Sequence, residues 1–266
     1  MPEFWYDAAG VRLYAFEEGD GDAVILLHGG GGDHSAVWPI ADRLSARYRA
    51  IAPDLRGSGK SRCGDSLTWD RLADDVAALL DRIGAERAVI GGVSMGTGTA
   101  VRFALRFPRR VAALVLVLPV YAGEDRGLTA DQIARFDPLT PAVAKARAEG
   151  FEAFRYLYRQ SPAAEAYFDA MIAEADLASF IATNEFMLSG AQPFASAEDL
   201  RRIAAPTLLI PGNDPMHPAE TAELYAAKIP QCSIVEPLDA ADYNGCSKEI
   251  ASAIGDFCAK RSLVIR

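Results

Sequence analysis

The sequence predicts an α/β fold with a mostly parallel sheet that helices cover on both faces. Short β-rich runs alternate with helical stretches, and this order favours parallel strands joined by right-handed crossovers. Residues 111–118 read VAALVLVL, a composition typical of a strand that is buried on both faces. In residues 67–83, the positions of Leu72, Val76 and Leu79 have the spacing of a helix that packs one face on a sheet.

Runs with strand character occur near both ends of the chain. They are residues 4–7, 11–16, 24–27, 48–53, 88–91, 111–118, 207–210 and 233–235. Helices are predicted at residues 67–83, 97–107, 219–228 and 247–260. Gly84 is expected to end the first of these helices, because glycine accepts the left-handed conformation of a helix end.

Between residues 121 and 200 the strand-like runs disappear, and alanine and charged residues dominate. Prolines at 138, 141 and 162 break the helical stretches, which include 151–159 and 173–188. We therefore predict one core domain, residues 1–120 and 201–266, interrupted by a helical insertion at 121–200. The large apolar side chains of the insertion should mostly form its own core, with a few lining an apolar pocket. They are Phe151, Phe154, Tyr156, Tyr158, Tyr167, Phe168, Met171, Phe186 and Met187.

Composition restricts the classes of function. The 266 residues carry a formal net charge of −9 at pH 7, and a field of that sign repels phosphate backbones and anionic lipid. A small-molecule substrate is therefore expected, and nucleic acid and membranes are not. The N-terminus lacks a signal-peptide pattern and the cysteines form no CxxC pair, which predicts a cytoplasmic protein. No cofactor or metal motif occurs, and the oligomeric state is left open.

The segment Gly92-Val93-Ser94-Met95-Gly96 follows a predicted strand and opens a predicted helix. A GxSxG pattern in this context is typical of a nucleophile elbow, whose turn is so tight that glycines flank the serine at two residues' distance. We expect a strained Ser94 backbone that lifts Oγ above the sheet, next to helix amides that stabilise negative charge. The pattern also occurs by chance in turns without function, but its position favours the catalytic interpretation.

Four glycines at residues 29–32 follow His28 at the carboxyl end of the third predicted strand. Backbone without side chains lets a ligand come close. A backbone amide of this loop should join the Met95 amide in a two-donor oxyanion hole. Gly30 is the preferred candidate and Gly29 is the alternative. His28 is expected to orient the loop by hydrogen bonding rather than to titrate in catalysis. Alone the run would indicate only a flexible loop, but together with the elbow it indicates an oxyanion site.

In this order, HGGGG, the segment PDLRGSGKS at 53–61 and GVSMG resemble the α/β-hydrolase fold superfamily, over nearly the whole chain. The resemblance implies about eight strands, a helical cap inserted after the sixth, and a catalytic triad in the order serine, acid, histidine. It also implies mainly structural roles for Asp54 and Arg56. The family's acid follows the seventh strand, where this chain has Asp214; such an acid fixes the tautomer of an imidazole.

The family's histidine is expected after the eighth strand, but this chain has Asp242 in that position. Losing the base of a triad costs about four to six decades in turnover, because its members act as a unit. One candidate substitute is His217, three residues after Asp214 on the same rim of the sheet; capping or packing is its alternative role. His34, which follows the glycine loop, is a second candidate for the base. For this residue we favour substrate binding or a surface position over a role as the base.

A third hypothesis pairs two carboxylates. If Asp214 and Asp242 approach each other, one should hold a proton near neutral pH, because like charges at short range raise one pKa. Such a pair would suit a lyase, cyclase or isomerase in which Ser94 only donates a hydrogen bond, and a ligand-binding protein without turnover is a further alternative. The leading expectation is an α/β-hydrolase that acts on a small, largely uncharged ester, lactone or carbonyl compound through Ser94, with Met95 and Gly30 as oxyanion donors.

Overall fold

The computed structural model describes residues 3–64, 67–238, 243 and 245–261. Eight strands lie within these residues: Glu3–Ala8 (β1), Val11–Glu18 (β2), Ala23–Leu27 (β3), Arg49–Pro53 (β4), Ala88–Val93 (β5), Val111–Val117 (β6), Thr207–Ile210 (β7) and Cys232–Ile234 (β8). They form one sheet in the order β1-β2-β4-β3-β5-β6-β7-β8. Strand β2 pairs antiparallel with β1 and β4, and all other neighbours pair in parallel. The predicted mostly parallel α/β sheet is confirmed.

Helices cover both faces of this sheet. They are Trp38–Leu44 (α1), Trp69–Ile83 (α2), Met95–Arg106 (α3), Ala130–Phe136 (α4), Leu139–Glu149 (α5), Glu152–Arg155 (α6), Pro162–Ile172 (α7), Leu177–Leu188 (α8), Ala219–Lys228 (α9) and Ser247–Lys260 (α10). None of these helices has the length and apolar character needed to cross a bilayer.

Side chains of the central strands alternate between two buried clusters. In β3, Ile25 and Leu27 join a cluster with residues of α2, α3 and α9, whereas Val24 and Leu26 join one with residues of α1 and α10. The alternation follows from the period of two along a strand. Because both faces are covered, the strands are apolar at nearly every position, which is why their sequences read as continuous β runs.

Helices α4 to α8 lie between β6 and β7, and part of this stretch has its own small core around Phe154, Phe168 and Phe180. The predicted stretch 173–188 starts later than expected, because Asp176 caps α8 by accepting a hydrogen bond from the Ser179 amide. Helices α4 and α5 were not predicted individually; α5 accommodates Pro141 because proline is tolerated in the first turn of a helix. The domain boundaries at residues 121 and 200 remain a prediction.

The loop that follows β4 links the sheet to the helical insertion. Arg56, buried, donates to both carboxylate oxygens of Asp75 at 2.8 and 2.5 Å. The carbonyl of the adjacent Gly57 accepts a hydrogen bond from Thr183 of α8 at 2.9 Å. This loop therefore fixes one side of the insertion relative to the carboxyl ends of the strands.

Candidate active site

Ser94 occupies the sharp turn between β5 and α3, with φ 51° and ψ −116°. A positive φ is costly for a residue with a side chain, by about 1–3 kcal/mol, and such strain persists only where the surroundings impose it. Here the surroundings leave no room: a Cβ at Gly92 would collide with the Gly96 carbonyl, and a Cβ at Gly96 would collide with the Leu27 carbonyl. The two glycines allow the turn to pass directly over the end of β3.

Asp214 and His217 belong to one tight turn after β7. The Asp214 carbonyl accepts a hydrogen bond from the His217 amide at 3.0 Å, and its Oδ1 accepts one from the Met216 amide at 2.8 Å. The turn also lies close to the preceding chain, since a Cβ at Gly212 would lie 2.6 Å from the His217 Cβ. Glycine at position 212 therefore lets the chain fold back so that the histidine ring returns over the end of β7.

The His217 ring lies between the acid and the serine. Its Nδ1 is 2.7 Å from Asp214 Oδ2, and its Nε2 is 3.0 Å from Ser94 Oγ. A carboxylate can only accept, so the proton of the neutral ring lies on Nδ1, and Nε2 is free to accept from the Ser94 hydroxyl. The structure thus joins Ser94, His217 and Asp214 in one hydrogen-bonded chain, with His217 in place of the expected residue after β8.

The electrostatics of Asp214 fit this tautomer. Burial alone would raise the pKa of Asp214, but the hydrogen bond and charge of His217 and the amides of Met216 and His217 lower it below its ordinary value. The carboxylate therefore stays ionised at neutral pH. An ionised acid holds the Nδ1 proton and stabilises an imidazolium when one forms.

His28 holds the glycine loop and does not contact the serine through a hydrogen bond. The ring is fully buried; its Nε2 accepts from the Leu55 amide at 2.9 Å, and its Nδ1 lies 2.7 Å from the Gly29 carbonyl, to which it donates. Burial lowers the pKa of His28, so it stays neutral, with both nitrogens used. The held loop comes close to the serine: a Cβ at Gly29 would lie 3.3 Å from the Ser94 Cβ.

A cavity of about 320 Å³ opens beside Ser94. The described residues that line it are uncharged: Gly29, Gly30, Gly31, Gly32, Ala36, Val37, Val93, Ser94, Leu118, Tyr158, Tyr167 and Tyr243. Burial raises the pKa of Tyr158 to about 12, so this phenol remains a neutral hydrogen-bonding group. The Tyr243 hydroxyl is buried and has no hydrogen-bond partner among the described residues. Leu118 adopts φ 57°, a second strained position at the same cavity.

His34 pairs with Asp54. Its backbone amide and its ring Nδ1 both contact Asp54 Oδ1, at 2.8 and 2.7 Å. Ligand atoms of Asp33, His34 and Asp54 lie within 4.8 Å of one another, but Asp33 Oδ1 already accepts hydrogen bonds from the amide and hydroxyl of Ser35. We interpret the group as a hydrogen-bonded network that fixes the chain after the glycine loop.

Asp242 lies outside the described residues, so its pairing with Asp214 remains a prediction. Within the described part of the chain, the ring that meets the Asp214 carboxylate is that of His217. Sequence reasoning missed Gln132, which donates a hydrogen bond to the Met216 carbonyl in the turn between Asp214 and His217. The signals of this arrangement in the sequence were the glycine two residues before Asp214 and the position of His217 three residues after it.

Comparisons with known proteins agree with this architecture. The sequence model of the alpha/beta hydrolase fold family matches residues 22–243. Over 122 residues the chain is 37% identical to the dihydrolipoyllysine-residue acetyltransferase component of the acetoin cleaving system of Cupriavidus necator, covering 44% of this chain and 32% of that protein. It is 36% identical to the 2-hydroxy-6-oxo-6-phenylhexa-2,4-dienoate hydrolase of Comamonas testosteroni, covering 42% of each. The chain thus spans about a third to two fifths of the length of these relatives.

A solved structure is similar over a longer stretch. A thermophilic esterase from Thermogutta terrifontis superposes with a TM-score of 0.78 at 25% identity, and the superposition covers 98% of this chain and 99% of that one. The resemblance in structure therefore includes the sheet, the flanking helices and the inserted helices.

Proposed function

Because this chain belongs to the α/β-hydrolase fold family, we propose that it hydrolyses a small, uncharged ester or lactone through Ser94. One observation carries the proposal: Ser94 Oγ lies 3.0 Å from His217 Nε2, whose ring is bound on its other side by Asp214. A serine hydroxyl is a weak nucleophile until an adjacent base accepts its proton, and the base needs a third group to orient it. All three groups are present within hydrogen-bond range.

The proposed reaction begins with attack of Ser94 Oγ on the substrate carbonyl carbon. The hydroxyl proton passes to His217 Nε2 as the new carbon–oxygen bond forms, and Asp214 stabilises the resulting imidazolium. The imidazolium then gives this proton to the leaving alkoxide, and an acyl-enzyme remains. Water, deprotonated by the same nitrogen, attacks the acyl carbon, releases the acid and returns the proton to Ser94.

The tetrahedral intermediates need donors for their oxyanion. We assign these roles to the amides of Met95 and Gly30. Met95 is the first residue of α3, and amides in the first turn of a helix have no partner within the helix. The positive end of the helix dipole adds to their effect. Removal of one such donor typically lowers kcat by about 10²–10³.

The cavity supports the proposed substrate class. The described residues of its lining carry no charge, so a carboxylate on the substrate would lose hydration without gaining a cationic partner among them. Its volume of about 320 Å³ is at the small end of ligand-binding sites. The Tyr243 hydroxyl, which has no hydrogen-bond partner in the described part of the chain, is suited to meet a polar atom of the bound ester.

Covalent labelling tests the proposal most directly. Wild-type protein should react with a fluorophosphonate probe and release p-nitrophenol from p-nitrophenyl butyrate, and Ser94→Ala should abolish both. Ser189→Ala is the matched control, because this exposed serine lies on the surface and its loss should leave both signals intact. Failure of wild type to label, together with no turnover of a panel of esters and lactones, would instead favour a non-hydrolytic enzyme or a ligand-binding protein.

A further inference from the structure

We propose that Gln132, on helix α4 of the inserted segment, is a positioning residue for His217. The proposal rests on the proposed function insofar as it concerns turnover. Gln132 is 1% exposed, and its side-chain amide joins the turn that carries the acid and the base to the segment after β6. Its hydrogen bonds go to Thr129, Val120 and Met216, none of which is among the described residues that line the cavity, so we expect it to act through the turn.

The side chain of Gln132 uses its polar atoms fully. Nε2 donates to the carbonyls of Val120 and Met216, each at 2.9 Å. Oε1 accepts a hydrogen bond from the backbone N–H of Thr129 at 2.9 Å, and the Thr129 hydroxyl accepts one from the backbone N–H of Gln132 at 3.2 Å. This reciprocal pair is a capping box that fixes the start of α4. The capping box therefore fixes the helix start from which the Gln132 side chain reaches the turn.

Hydrogen bonds hold both backbone polar groups of Met216. Its amide donates to Asp214 Oδ1 at 2.8 Å, while its carbonyl accepts from Gln132. The next residue is His217, so rotation of the peptide between residues 216 and 217 would turn the ring away from Ser94. A base on a turn of four residues has little secondary structure of its own to resist such rotation. The His217 amide resists rotation from one side of this peptide by donating to the Asp214 carbonyl, and the hydrogen bond from α4 holds its other side, the Met216 carbonyl.

Loss of this hydrogen bond should affect the chemical step rather than substrate binding. A displacement of about 1 Å at a reacting group lowers the rate by about 10²-fold, whereas the cavity lining remains in place. We expect Gln132→Met, which is nearly isosteric but cannot donate, to lower kcat for p-nitrophenyl butyrate by about 10- to 100-fold with KM changed less than about threefold. Gln132→Glu, with a carboxylate facing two carbonyls, should lower kcat at least as much.

Gln192 provides a matched control. It is also buried. Among the described residues, its side chain accepts hydrogen bonds from the backbone amides of Ala122 and Gly123 and donates one to the Gly190 carbonyl. Gln192→Met should lower thermal stability by an amount similar to Gln132→Met, because both leave buried backbone groups unpaired. It should leave kcat within about twofold of wild type. Equal losses of kcat in the two variants, or no loss in Gln132→Met, would overturn the proposal.

A spectroscopic readout separates this proposal from the proposed function. The chain contains only three histidines, so a long-range ¹H–¹⁵N correlation spectrum resolves each imidazole and reports its tautomer. In wild type the His217 signals should show the proton on Nδ1; in Gln132→Met they should shift toward a mixture of tautomers, while the signals of His28 stay unchanged. Unchanged His217 signals would refute the positioning role even if the protein proves not to be a serine hydrolase.

If Gln132→Met does not fold, Gln132→Asn is measured instead. It keeps both polar groups but shortens the side chain by about 1.5 Å, so the amide no longer reaches the Met216 carbonyl. The same loss of kcat and the same change of His217 signals are expected. Wild-type values for both would contradict the proposal.

Discussion

Replacing His217 by alanine should reduce turnover almost to the level of the serine-deleted protein. Among the described residues, the Ser94 hydroxyl meets the ring of His217. The other two imidazoles have different hydrogen-bond partners: His28 accepts from the Leu55 amide, and His34 pairs with Asp54. No described histidine is therefore placed to replace the lost base, and the full cost of a broken triad should appear.

We expect kcat of His217→Ala to fall by about 10⁴- to 10⁶-fold. At 1.36 kcal/mol per decade this loss corresponds to about 5–8 kcal/mol of transition-state stabilisation. The assay is steady-state release of p-nitrophenol, together with the rate constant for fluorophosphonate labelling. Because the groups act as a unit, Ser94→Ala combined with His217→Ala should be no slower than either alone.

The outcome that refutes this reasoning is a loss of less than about tenfold in His217→Ala, which would place the base elsewhere in the chain. Asp242→His is the complementary variant, because it introduces a histidine at the position that the family resemblance indicates. If His217 already serves as base, Asp242→His alone should give no gain in kcat. A gain of about tenfold or more would contradict the assignment.

Three further outcomes test the scaffold. Gly96→Ala should destabilise the fold by at least about 1–3 kcal/mol, since the new Cβ collides with a strand carbonyl; a Tm equal to wild type would contradict the steric argument. Burial alone would lower the pKa of His34, but its carboxylate partner raises it. The stability from that pair should therefore be fully present below about pH 6.5 and lost as pH rises through the folded-state pKa; His34→Asn should remove this component from the dependence of Tm on pH. Asp75→Ala leaves the buried Arg56 charge without its partner and should lower the free energy of unfolding in urea by about 3–5 kcal/mol. The control Asp74→Ala, at a half-exposed ion pair, should lower it by less than about 1 kcal/mol.

The sheet could be predicted because burial on both faces makes each strand locally recognisable. Residues 111–118 illustrate this: the apolar run corresponds to β6, which is buried throughout. The elbow around Ser94 could likewise be predicted, because its glycines are required by contacts within a few residues. Helix α5 was harder to predict. Pro141 suggested a break in the helix, but it lies in the first turn, where a proline is tolerated.

The partner of Ser94 could be proposed but not chosen from the sequence. Its contact with His217 spans 123 positions in the chain, and local spacing contains no information about such a distance. The same holds for Gln132, which lies 84 positions from Met216. Both contacts depend on how the turn after β7 folds back at Gly212, and that is a property of packing rather than of pattern.

The proposed base, His217, lies three residues from the proposed acid, Asp214, and this spacing determines which parts of the chain can vary without separating the two groups. Where the two groups come from separate loops, every insertion in either loop threatens their alignment. In this chain a single short peptide carries both proposed groups, so it could be transplanted as one unit. If the proposal is correct, no residue after β8 needs to position an imidazole. Substitution of Tyr243, which follows β8 and lines the cavity, should therefore alter substrate binding without disturbing proton transfer to His217.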